Sequence, residues 1–111
     1  MGRSGYLGEL EQIVMLAVAR LEGEAYGMRI RREIEERTGR GVAIGAVYST
    51  LERLAEKGYV KSATPPPSDD RDGRPRRFFA LTRRGVEALG VASTMQEKMW
   101  SGLRLKKAGR S

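Results

Sequence analysis

The sequence contains no cysteine and no histidine. Disulfides, thiolate nucleophiles, Cys/His zinc sites and imidazole acid–base catalysis each need one of those side chains, so all of them fall away together. A chain without disulfides is expected in the cytoplasm. No apolar run is long enough to cross a bilayer, because the segment from Ile13 to Leu21 is broken by Arg20 and flanked by glutamates, and no membrane partner is expected. Aromatic residues are few, with one Trp, two Phe and four Tyr. That scarcity argues against single-stranded nucleic acid read on a stacking platform, unless Phe78 supplies one. No nucleophile is paired with a base, and Ser49 near Arg53 is not a catalytic arrangement, so neither an enzyme nor a cofactor is expected. Asp69, Asp70 and Asp72 lack the spacing of a calcium loop, and no metal is expected.

What is present is positive charge, unevenly placed. The chain has 111 residues, enough for one small domain with an extension, and carries a formal charge of +7. Residues 1–60 hold nine Lys/Arg and nine Asp/Glu, whereas residues 61–111 hold twelve against five, so 12 − 5 = 7 accounts for the whole excess. A field concentrated in the second half favours a polyanionic partner.

The stretch from Val42 to Leu81 organises the rest. Val47, Leu51 and Leu54 recur at helical spacing, with Tyr48 and Ala55 beside them, and predict an amphipathic helix that Gly58 stops. Ala46, Ser49, Thr50 and Arg53 form the opposite face, small or polar enough to approach another molecule closely. Ala43 falls where an N-cap is expected and cannot cap, at a cost of about 0.5–2 kcal/mol relative to Ser or Asp. Val60 to Ala63 predicts a first wing strand. Pro65 to Pro67 then end regular pairing, "SDDRDG" carries the loop to its tip, and Arg76 to Leu81 predicts a second strand. By alternation Phe79 and Leu81 face the helices, while Phe78 looks away, toward solvent or the last helix. Three aspartates at the tip lower the local field and leave the arginines at the base of the wing, Arg74, Arg76 and Arg77, together with Arg71, to contact phosphates.

Upstream, residues 1–6 read as a loose arm. Leu10, Ile13, Val14, Ala17, Val18 and Leu21 predict a mostly buried first helix ended by Gly23. A second helix has Met28, Ile30 and Ile34 on its apolar side and the pairs Arg31–Glu35 and Arg32–Glu36 on its wet side. Tyr26 and Gly27 stand at its start, where outward-pointing amides and a phenol could hold a phosphate. Downstream, Thr82 is a good N-cap for a last helix whose Val86, Leu89, Ala92, Met95, Met99 and Leu103, together with Trp100, need an apolar partner, the nearest being the same helix of a second subunit. The expected architecture is mainly α with a small two-stranded wing: a winged helix-turn-helix over residues 1–82 and a C-terminal dimerisation helix over 83–108.

These segments resemble the PadR-like transcriptional regulators. "LGELEQIVMLAV" is similar to the family's first helix, "AYGMRIRREIEERTG" to its second, "GAVYSTLERLAEKGYV" to its recognition helix, and "GRPRRFFALTRRG" to its second wing strand and the start of its last helix. The resemblance implies a homodimeric repressor on an inverted-repeat operator in double-stranded DNA. It also implies a small planar or phenolic effector stacked on Trp100, beside Met95 and Met99, in a channel at the dimer centre. The sequence departs from the family at Ala43, at Ser49 and at its acidic wing tip. Tyr26, Ala46, Tyr48, Ser49, Thr50, Arg53 and the four wing arginines are the expected DNA contacts. The competing expectation is a winged helix used only for protein assembly, which would have no need of so many wing arginines.

Overall fold

The computed structural model of the chain describes residues 6–66 and 76–105. Its elements are α1 (Glu9–Leu21), α2 (Gly27–Thr38), α3 (Ile44–Glu56), β1 (Val60–Ala63), β2 (Phe78–Leu81) and α4 (Arg83–Trp100). Three helices enclose the core, a two-stranded hairpin closes one side of it, and α4 leaves from the hairpin.

Apolar periodicity accounts for the trihelical core. Val14 and Val18 of α1, Ile30 and Ile34 of α2, and Val47, Leu51 and Leu54 of α3 are buried together with Tyr59, Val60 and Phe79. Met15 joins them fully buried, although it was not among the residues expected on that face. Met28, expected on the apolar side of α2, is instead exposed. The pairs on α2 also fall in another register. Arg29 and Arg37 both bind Glu33, at 3.3 and 2.7 Å, and Arg31 is drawn away to the Val42 carbonyl at 2.9 Å. Arg37's hydrogen bond is the leading cause that lowers the Glu33 pKa, outweighing the rise that burial brings.

The helix ends follow local rules. Ala43 is the N-cap of α3 and makes no side-chain cap bond. At its other end Gly58 adopts φ +83, and the Tyr59 N–H bonds back to the Leu54 carbonyl at 2.9 Å. That left-handed turn suits glycine and swings the chain into β1. Thr82 caps α4 by accepting from the Gly85 N–H at 3.0 Å, while its own hydroxyl donates to the Gly58 carbonyl at 2.6 Å. A single threonine thus ties the start of α4 to the end of α3. Gly85 is buried where a Cβ would overlap the Tyr59 carbonyl, so α4 can leave along the core only with glycine there.

Strands β1 and β2 pair antiparallel, with Val60 opposite Leu81 and Ala63 opposite Phe78. β2 is shorter than expected and begins at Phe78. The expected alternation holds, yet Phe78 does not reach solvent. It is buried under Tyr26, edge to face at a centroid distance of 5.4 Å. The reason is a third, minimal pairing: Tyr26 bridges Phe78, and the Phe79 N–H donates to the Ala25 carbonyl at 2.9 Å. The segment before α2 therefore covers the outer face of the hairpin. Leu103 also departs from expectation, since α4 ends at Trp100 and Gly102 turns the chain before Leu103. Among the described residues no helix is long and apolar enough to cross a membrane.

Candidate nucleic-acid interface

The exposed side of α3 is small at its start. Gly45, Tyr48 and Ser49 are exposed and Ala46 is half-buried. A Cβ built on Gly45 would meet nothing within 4 Å, so the interior places no demand for glycine there. Thr50 does not belong to this face. It is 1% exposed, packed beside Val47, Leu51 and Leu54, and cannot present its hydroxyl to a partner. A helix turns about 100° per residue, which puts residue 50 on the flank of the buried stripe.

Arg53 is divided between the surface and the fold. Its side chain is 52% exposed, its Nε donates to Glu11 Oε2 at 3.3 Å, and its Nη2 lies 3.5 Å from the Thr50 hydroxyl. Lys57 Nζ binds the same Glu11 oxygen at 2.8 Å, and the Gly8 N–H binds the other at 2.8 Å. Burial pushes the Glu11 carboxyl upward, but the Lys57 and Gly8 hydrogen bonds, the Lys57 charge and the Arg53 bond outweigh it, so its pKa lies below the ordinary value. Glu11 was not expected as a functional residue. Its position three residues into α1, reaching back to the Gly8 N–H, is a legible cap signal, but its partners on α3 lie more than forty residues away.

A second constellation surrounds the start of α2. The Tyr48 ring from α3 lies against Gly27, where a Cβ would overlap it, so glycine lets the phenol approach the open amides of the helix. Tyr26 is the N-cap residue of that helix and makes no side-chain cap bond. The Arg76 guanidinium stacks over the Tyr26 ring at 3.9 Å. Two phenols and one cation, from three separate parts of the chain, therefore border one helix end whose partial positive charge favours an anion. Arg77 lies 5.0 Å over the Phe79 ring and its side is exposed. Arg71 and Arg74 lie outside the described residues, as do the three aspartates of the wing tip.

The profile of the Transcriptional regulator PadR-like family matches residues 15–91, which runs from the second half of α1 to the first half of α4. The chain belongs to this family. Solved structures agree with the assignment. RosR of H. salinarum is 26% identical over 88% of this chain and 81% of that one, with a TM-score of 0.66. A PadR family transcriptional regulator from Eggerthella lenta is 23% identical over 85% of this chain and 81% of that one, at a TM-score of 0.65. F93 from STIV, a winged-helix DNA-binding protein, is 14% identical over 89% of this chain and 99% of that one, at 0.67, a likeness of fold alone. No curated protein matches the chain significantly. This PadR-like protein is thus a DNA-binding transcriptional regulator built on a winged helix.

On α4 of this regulator, Val86, Met95, Met99 and Trp100 are exposed, as is Leu103 beyond the helix. Leu89 packs against the subunit's own core and Ala92 is half-buried. Val91, which was not expected, is exposed and shares a stripe with Met95 and Met99. Trp100 stands about 140° around the helix from Met95, so the three residues expected for an effector are split between two sides.

Proposed function

We propose that this PadR-like regulator is a repressor that acts in the cytoplasm as a homodimer on an inverted repeat, with α3 in the major groove and the wing along the backbone. The convergence of Tyr26, Tyr48 and Arg76 on the open end of α2 carries the reading, because it supplies one phosphate with amide, phenol and guanidinium donors beside the small face of α3. Ala46, Ser49 and the outward edge of Arg53 would face base edges. Thr50 supports that face from beneath. The apolar stripe on α4 would pair with its counterpart in a second subunit, and a planar aromatic effector would bind at the end of that interface, beside Trp100.

The test is ionic. Arg76→Ala and Arg77→Ala should each weaken cognate and random duplexes alike and reduce the slope of log affinity against log salt by about one unit per lost phosphate contact. Slopes equal to the parent's in both variants would take the base of the wing out of the interface.

A separate expectation attaches to Gly45. Glycine inside a helix costs about 0.5–1 kcal/mol relative to alanine, and no neighbour in the fold requires it here. Gly45→Ala should therefore raise the melting temperature and lower DNA affinity, because the added methyl stands between helix and groove. Thermal melts and fluorescence anisotropy on the same preparations would read the two effects. A variant that gains stability and keeps its full affinity would show that α3 does not approach DNA along that line.

A further inference from the structure

The recognition helix carries negative charge that the fold does not use. Its buried stripe is Val47, Thr50, Leu51 and Leu54, so the line directly opposite passes through Gly45, Ser49, Glu52 and Glu56. Both glutamates are exposed, and neither is joined to any described residue by a hydrogen bond or an ion pair. They stand four residues apart on one face, where like charges destabilise a helix slightly. Arg53 of the helix and Lys57 at its C-cap both bind Glu11 and neither pairs with Glu52, although half of the Arg53 side chain stays exposed. Glu52 is thus left without compensation on a surface that, in the reading above, meets a polyanion. Facing phosphates it would repel them. Facing bases its best partner is the N4 amino group of cytosine, because the other amino donor of the major groove, adenine N6, stands beside the N7 acceptor, which a carboxylate with no proton to give cannot satisfy.

Resting on the DNA-binding reading, the geometry points to Glu52 as a specificity-determining residue that accepts a hydrogen bond from cytosine N4 at one position of each half-site and penalises sequences that leave its carboxylate unpaired. Glu52 follows Ser49 by one turn, so both side chains project from the same side of α3, and the small residues Gly45 and Ala46 let the helix sit close enough for a carboxylate to reach a base edge. Its contribution is chiefly to discrimination. The charge lowers affinity for every duplex and is offset only where cytosine offers its amino group.

Selecting sites from random duplexes with the parent, Glu52→Gln and Glu52→Ala would test this. The parent motif should contain a symmetric pair of cytosines that both variants lose. In Glu52→Gln the same positions should shift toward adenine, whose N7 acceptor and N6 donor match an amide. Discrimination at that base pair should fall about fivefold or more in Glu52→Ala, while affinity for random duplex rises. The same motif in all three proteins, or a loss of affinity for random duplex in the variants, would overturn the role given to Glu52. A parent that enriches no motif would instead overturn the DNA reading on which it rests.

Discussion

Replacing Met95 with glutamate is expected to convert a tight operator binder into a weak one while leaving each subunit folded. Met95 is 52% exposed in the single chain and Met99 is 77% exposed, with Val91 on the same stripe, so a carboxylate at position 95 costs the isolated subunit little. In a dimer closed along this stripe the same carboxylate would lose its water and gain no partner, a penalty of several kcal/mol that should separate the subunits. An inverted repeat rewards two linked recognition helices by an effective concentration worth about 10²–10⁴ in affinity, and monomers lose that factor. Sedimentation should give a dimer for the parent and for Met95→Leu and a monomer for Met95→Glu, whose operator affinity should fall by a factor of about 10² or more. Leu89→Glu would be a poorer probe, because Leu89 packs on the core of its own subunit and its loss would unfold as well as separate. A dimeric Met95→Glu with the parent's affinity, or a parent that sediments as a monomer at micromolar concentration, would remove α4 from the assembly.

Most of the architecture was legible because it rests on short-range signals. The stripe of Val47, Leu51 and Leu54, the stop at Gly58, the uncapped Ala43 and the Thr82 cap each depend on residues close together in the chain, and all appear in the structure as the sequence predicts. Some of the misses come from a partner distant in the chain, others from the local geometry of a helix. Phe78 alternates as expected, but what covers it is Tyr26, more than fifty residues earlier. Arg31 could reach Glu35 by spacing, yet the Val42 carbonyl takes it, and the pairing moves to Glu33. Polarity suggests an outward Thr50, but its angle on the helix lies close to that of Leu54 and it is 1% exposed. Of the candidate site, the small exposed start of α3 is legible in "GAVYS" and the start of α2 in "AYG". The approach of Tyr48 to Gly27 and the stacking of Arg76 on Tyr26 required the fold.

Glu11 should be an acid-sensitive point of the fold. Its carboxylate is buried and accepts from Gly8, Lys57 and Arg53, so it fastens the start of α1 to the end of α3. Hydrogen bonds to a charged group contribute about 1.5–3 kcal/mol each when well shielded, but Arg53 is half exposed and the three bonds share two oxygens. Glu11→Ala should therefore cost roughly 2–3 kcal/mol in total, which in a domain of this size lowers the melting temperature by on the order of 10 °C. The sign of the pH dependence follows from the lowered pKa. Unfolded, the group titrates near its ordinary value of 4.5, and folded it titrates lower. Its stabilisation is thus fully present above that ordinary value and drains away as pH falls through the folded one, where the folded chain must take up the proton it has resisted. Glu33 is shifted the same way and contributes to the same acid limb, so the diagnostic quantity is the difference between the parent and Glu11→Gln. That difference should be constant at neutral pH and shrink in acid, because protonating Glu11 makes the parent resemble the amide. Urea melts of both proteins from pH 7 to pH 3 would measure it. A gap that stays the same across that range would mean that Glu11 acts by shape and not by charge, and that Lys57 and Arg53 hold α3 without it.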